Sequence, residues 1–167
     1  SLNEDSVSTI VFWILGSFSG KSWTQVAVVL PYLILGGTAI LYYARELDIL
    51  SLGDIQAQQL GVDVARVRFH LLLAASLITA AAVAVSGIIG FVGLVTPHLV
   101  RLAIGPRHRK LLPAVLLGGG LLVLLSDTLA RSALPNGEEI PVGVVTAILG
   151  GPFFCFLLMH RKKYLQL

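Results

Sequence analysis

Between Lys21 and Arg45 the chain reads SWTQVAVVLPYLILGGTAILYYA, 23 consecutive residues without a charge. As an α-helix this stretch reaches about 35 Å at ~1.5 Å per residue, enough to cross a ~30 Å hydrocarbon core. The rest of the chain repeats the pattern. Phe69 to Val100 is a window of 32 uncharged residues, too long for one span. Gly87 and Gly90, within Ser86-Gly87-Ile88-Ile89-Gly90, are its natural breaks. They leave one full helix near 68–86 and a shorter one near 90–104, interrupted by Pro97. Leu111 to Ser126 adds 16 uncharged residues and Ile140 to His160 adds 21. The expected fold is therefore all-α, a polytopic membrane helix bundle of about five transmembrane helices, at 25–44, 68–86, 90–104, 111–133 and 141–160.

Composition agrees with this reading. Of the 167 residues, 56% are hydrophobic and 13% charged, about half the charge of a soluble domain. That excludes a disordered chain and an ordinary water-soluble enzyme. The single cysteine, Cys155, lies in an apolar run and excludes a disulfide scaffold. The net charge of +3 reads as a topology signal rather than a nucleic-acid signal. With the N-terminus outside, the inner segments hold Arg45, Arg66, Arg68, Arg101, Arg107, Arg109, Lys110, Arg161, Lys162 and Lys163, and four acidic residues, net +6. The outer segments hold Lys21, Arg131 and five acidic residues, net −3. Lys and Arg concentrate on cytoplasmic loops, so the N-terminus is expected outside and the C-terminus in the cytoplasm. Trp13 and Trp23 fit an interfacial belt, and the lack of a basic n-region with a cleavage site argues against a signal peptide.

Membrane helices associate through close packing of small residues. Two stripes recur every fourth residue: Ser76, Ala80, Ala84 and Gly143, Ala147, Gly151. Gly118-Gly119-Gly120 offers a third point of approach. Each is expected to pack helices within the chain, the alternative being a second copy or another segment. Pro31, Pro97, Pro113 and Pro152 start or kink helices.

Few positions suggest chemistry. Gly16-Ser17-Phe18-Ser19-Gly20-Lys21-Ser22 has three residues between its glycines where a phosphate loop requires four, and it follows no buried strand. It reads as a turn before the first span. His70, His98, His108 and His160 are far apart and no metal-ligand spacing occurs, so neither a metal nor a cofactor is expected. No nucleophile elbow and no paired carboxylates lie inside a span. Asp127 and Arg131, spaced i, i+4 at the outer end of the fourth span, read equally as an interfacial salt bridge and as a docking site for an acidic partner.

The 24 residues Arg45–Arg68 are far more than a turn requires. Asp54 is placed to cap a helix over Ile55–Leu60 and Gly61 to close it. Asp63 is placed to cap a second helix, with Val62 and Val67 as a hydrophobic staple. The segment reads as a structured elbow between two spans, one that touches either the protein's own inner face or a soluble partner.

These residues resemble the FecCD-type permease subunits of binding-protein-dependent ABC importers for iron chelates, haem and vitamin B12. The resemblance rests on Leu52-Gly53-Asp54 with Ala57-x-Gln59-Leu60-Gly61, and on Gly87-x-Ile89-Gly90-Phe91-Val92-Gly93-Leu94-Val95-x-Pro97-His98. It continues through Arg101-Leu102, Gly105, His108-Arg109, Leu111-Leu112-Pro113, Asp127-x-x-Ala130-Arg131, Ile140-Pro141-Val142-Gly143-Val144-Val145-Thr146 and Gly150-x-Pro152-Phe153-Phe154. It covers about residues 10–160 and corresponds to the second half of a ten-span subunit.

The resemblance implies a transport subunit rather than an enzyme. It sits in a bacterial or archaeal plasma (inner) membrane among membrane lipids, with ABC ATPase subunits below, a periplasmic or lipid-anchored substrate-binding protein above, and a second permease subunit beside it. It implies that the elbow over 48–67, through Leu52, Gly53, Asp54, Ile55, Ala57, Gln59, Leu60 and Gly61, docks on the ATPase. It further implies that Arg131 binds acidic residues of the binding protein, and that 1–24 forms an outer gate-helix region. The alternatives are a fragment of an ion-coupled secondary transporter or channel, which would carry ionisable groups deep in its spans, and a membrane enzyme, which would need a polar constellation.

Overall fold

The computed structural model describes residues 4–133 and 140–162. Glu138, Glu139 and Lys163, which enter the charge count above, lie outside the described residues. Among the described residues the regular structure is wholly helical: α1 (Glu4–Leu15), α2 (Trp23–Tyr42), α3 (Ala44–Leu50), α4 (Asp54–Gln59), α5 (Val64–Ser86), α6 (Val92–Ile104), α7 (His108–Ser132) and α8 (Val142–Lys162). By length and composition α2, α5 and α7 can each cross a membrane. α6, with 13 residues, reaches only about 20 Å, and the apolar part of α8 described, Val142–Leu157, is also shorter than a full span.

Local chemistry sets the helix ends. Ser22 opens α2 with a capping box, its backbone N–H donating to the Gln25 side chain at 2.8 Å. α2 stops at Tyr42 because Tyr43 leaves helical geometry (φ −86°, ψ 13°), and the chain resumes at once as α3. α5 begins at Val64, where the Asp63 carboxylate accepts the N–H of Arg66 at 3.1 Å. The four internal prolines all lie inside helices, Pro31 in α2, Pro97 in α6, Pro113 in α7 and Pro152 in α8.

The chain divides into two compact units. One comprises the described residues up to Ser19, residues 86–103 and the described residues from Val115 onward. Its organising feature is a three-way backbone junction between the end of α1, the loop after α5 and the start of α8. The Ser17 N–H donates to the Ser86 carbonyl (2.9 Å), the Ile88 N–H to Trp13 (3.4 Å) and the Gly143 N–H to Gly16 (3.4 Å). Each partner segment contributes a glycine, Gly16, Gly87 and Gly143, at which a Cβ would collide with the opposing backbone. Loop residue Phe91 holds a left-handed backbone (φ 64°), uncommon for a bulky residue. Its side chain lies where a Cβ on Gly150 would be. Gly118 of α7 approaches the Thr96 and Val100 methyls of α6 and Gly119 those of Val92 and Thr96, so two of the three consecutive glycines pack helix on helix. Ser126 and Thr146, both buried, return their hydroxyls to the carbonyls of Leu122 (2.8 Å) and Gly143 (3.1 Å).

The small-residue stripes behave differently from the expectation. Ser76, Ala80 and Ala84 are exposed, and α5 instead buries Val64, Val67 and Ala74. On α8, Gly143 packs, but Ala147 is exposed and Gly151 has nothing near it. The buried residues of α8 are Val142, Thr146 and Gly150, and Gly143 is half-buried. The reason is helical phase: a four-residue step overshoots a turn by about 40°, so by Gly151 the stripe has rotated about 80° away, whereas Gly150 lies about 20° from Gly143.

The second unit comprises residues 20–85 and 104–114. Here α2 meets α5 at Gly36, where a Cβ would lie 2.5 Å from the Ile78 side chain and 3.0 Å from the Ala74 carbonyl. The adjacent Gly37 has open space. Gly36→Ala is therefore expected to destabilise the fold by about 1–3 kcal/mol through overpacking. Gly37→Ala should be neutral or stabilising by about 0.5–1 kcal/mol. Thermal unfolding of both variants in detergent measures the difference.

Candidate functional site

The second unit holds the elbow. After α3 the chain turns through Ser51-Leu52-Gly53 into α4. Gly53 supplies the extended, positive-φ entry (φ 115°) and is the residue preceding the helix, so Asp54 is its first residue and not its cap. The Asp54 carboxylate instead receives the Arg68 guanidinium, at 2.9 and 3.2 Å to its two oxygens, which ties α4 to the first turns of α5. That long-range pair is what the local capping pattern missed. An acid at this position also suits the positive end of the helix.

α4 ends in a Schellman motif. Gly61 adopts φ 82°, its N–H donates to Gln58 (3.0 Å) and the Val62 N–H reaches back to Ala57 (3.0 Å). Ala57 is fully buried, with no accessible surface, so α4 packs through this residue. Leu52, Ile55 and Leu60 are 61, 70 and 62% exposed. Gln59 and Gly61 are exposed as well. The segment between two spans thus shows an apolar triad to its surroundings on a backbone fixed by a motif, an ion pair and a buried alanine.

Two further contacts hold the elbow, and neither has a local signature in the sequence. Tyr43, at the break between α2 and α3, stacks on His70 of α5 (centroids 5.6 Å, 15° between planes), its hydroxyl 3.0 Å from Nδ1. Asp48 of α3 meets the start of α7. Its Oδ1 accepts the backbone N–H of His108 at 2.8 Å and lies 2.7 Å from His108 Nδ1. The His108 backbone N–H, first of all, holds the Asp48 carboxyl below the usual carboxylate range, aided by the His108 ring and Arg107 against a smaller opposing cost of burial. Stability from the pair is therefore present above the ordinary Asp range and is lost only as pH falls through the lowered value. An ionised carboxylate only accepts, so Nδ1 carries the proton.

In the other unit, Asp127 and Arg131 lie on the last two turns of α7. Arg131 Nε donates to Asp127 Oδ2 at 2.8 Å, with Arg131 44% exposed at the side chain. On α8, Ala147 lines an apolar groove with Ile14, Leu15, Ile88, Phe91 and Ile148 rather than a helix contact. His98 is exposed on α6, its ring edge-on to Phe153 (5.8 Å).

Comparison with known proteins places this geometry among transport proteins. The model of the FecCD transport family matches residues 1–160. The chain is 46% identical over 152 residues to the cobalamin import system permease protein BtuC of Halobacterium salinarum, covering 91% of this chain and 40% of that protein. It is 46% identical over 165 residues to the hemin transport system permease protein HmuU of Yersinia pestis, covering 96% and 48%. To the Fe(3+) dicitrate transport system permease protein FecD of Escherichia coli it is 44% identical over 156 residues, covering 93% and 49%. A solved structure described as an inward-facing conformation of a metal-chelate type ABC transporter superposes with TM-score 0.86 at 36% identity, over 95% of this chain and 51% of that one. The chain spans about half the length of the relatives it matches.

The elbow geometry generates its own test. Gly61→Ala forces a Cβ into a left-handed backbone, at a cost of about 1 kcal/mol. Hydrogen exchange should show faster opening of the Ala57–Val62 amides, with the Gly36–Ile78 contact region unaffected.

Proposed function

The chain belongs to the FecCD transport family, and from that membership we propose that it is half of the membrane-spanning subunit of an ABC importer for an iron chelate, haem or vitamin B12. Transport is driven by ATP hydrolysis on a separate soluble subunit, and the chain itself carries no chemistry. The observation that carries this reading is the elbow, a rigid segment between two spans whose exposed apolar triad is built to be covered. Large apolar side chains outside hydrocarbon mark an interaction surface when they cluster on a fixed backbone.

In this reading the elbow, through Leu52, Gly53, Asp54, Ile55, Ala57, Gln59, Leu60 and Gly61, seats on the ATPase. Its residues divide the work. Gly53, Asp54, Ala57 and Gly61 fix the shape, while Leu52, Ile55 and Leu60, beside Gln59, present the contact. The Lys and Arg distribution sets this end in the cytoplasm, with the elbow inside and Arg131 outside. The protein is a multi-pass membrane protein, with α2, α5 and α7 as full spans and α6 and α8 completing five passages. A periplasmic or lipid-anchored binding protein docks over Arg131, whose pairing with Asp127 holds the half-exposed guanidinium near the end of α7. A second permease subunit completes the pathway, with the outward small residues Ala147 and Gly151 free to admit a close neighbour.

Two measurements test the assignment. Leu60→Asp, in the complete permease, should lower ATPase co-purification at least about tenfold, the order expected for burying an unpaired charge in an apolar contact; undiminished co-purification would place the ATPase elsewhere. Arg131→Glu should weaken binding-protein affinity by about tenfold or more, with the loss shrinking as salt is raised. Unchanged affinity would remove Arg131 from the docking surface.

A further inference from the structure

The head of α7 presents an electrostatic problem that only Asp48 answers. A helix N-terminus carries partial positive charge and unpaired N–H groups, and favours an acidic or hydroxyl residue before it. Here the preceding residue is Arg107, and Arg109 and Lys110 follow in the first turn. No side chain of the local sequence caps the helix. The acceptor comes from 60 residues away, where Asp48 of α3 takes both the His108 backbone N–H (2.8 Å) and the His108 ring (2.7 Å). His108 is largely buried at the side chain, 17% exposed, so the pair sits in a partly desolvated contact where it counts for more than a surface bridge. α3 leads directly into the elbow, and the turn from α3 into α4 is itself bonded, with the Gly53 N–H donating to Leu50 and the Leu52 N–H to Ile49.

We infer that Asp48 is a positioning residue for energy coupling: it fastens the elbow to the first turn of α7, so that displacement of the elbow moves α7 with it. The inference rests on the ATPase reading of the elbow given above. α7 is one continuous helix of 25 residues, and Arg131 stands in its last turn. Asp48 touches neither ATPase nor substrate in this role. It acts through His108, replacing a missing cap with one that belongs to the moving part. A hydrogen bond made within the chain's own cap would stabilise α7 equally well and would leave the elbow free; taking the acceptor from α3 makes the two elements one body.

The test uses the complete permease carrying this segment, with its ATPase and binding protein, in proteoliposomes. Asp48→Ala is expected to retain ATPase co-purification and to lower substrate transported per ATP by about threefold to tenfold, the range that loss of a charge-assisted hydrogen bond from one of two states produces. Asp48→Asn, whose amide oxygen still accepts the His108 N–H, should recover most of the coupling. His108→Ala keeps the backbone bond, loses the ring bond and should fall between the two. Normal coupling in Asp48→Ala with the ATPase bound would overturn the inference. If Asp48→Ala fails to assemble, the other two variants decide: reduced coupling in assembled His108→Ala supports the inference, and normal coupling in both overturns it. Absence of the ATPase from the wild-type complex would instead defeat the ATPase reading, a distinct outcome.

Discussion

A backbone N–H or carbonyl without a partner in hydrocarbon costs several kcal/mol, and this single constraint organises the chain. It dictates helices wherever the sequence is apolar. It also bears on the places where a helix ends. Between Ser86 and Val92 the chain leaves helical geometry, and its backbone groups are met by other segments. The end of α1 and the start of α8 close around it, exchanging backbone hydrogen bonds through Ser17, Ser86, Trp13, Ile88, Gly16 and Gly143. Such an exchange requires backbone to approach backbone, and that requires the side chains at Gly16, Gly87 and Gly143 to be missing. The glycines follow from the hydrogen bonds.

The elbow is too short to stay helical by itself, so it has to be held in one conformation by something more specific. Here that is a Schellman closure at Gly61, an Asp63 cap, an Arg68–Asp54 pair and the buried methyl of Ala57. Individually each is worth about 1 kcal/mol or less. Together they fix six helical residues that could not stay helical alone. A rigid segment that then exposes three large apolar side chains has been ordered for a contact rather than for its own stability.

Much of this is legible in one dimension. The charge-free windows predict apolar helices, and Asp63, Gly61 and Gly87 act where their chemistry says. The misreadings share a cause. Asp54 has the composition of a cap, but Arg68, 14 residues on, competes for its carboxylate. Within this chain a strict fourth-residue repeat drifts around α8, so Gly150 rather than Gly151 meets Phe91, and Ala147 and Gly151 keep only the alternative of an outside neighbour. Asp48 carries no local signal, because its partner is 60 positions away and the cue is a negative one: a helix start without a cap of its own.

The sequence by itself determined where the long apolar helices lie, that the chain breaks at Gly87 and which of their ends carry the basic residues, because these depend on transfer free energies and on backbone preferences that act within a few residues. The tertiary structure alone decided which glycines are essential, which face of each helix is buried and what holds the elbow. Those depend on what lies opposite a residue, and in a chain whose surface is nearly uniform in hydrophobicity, the apolar pattern does not distinguish one neighbour from another.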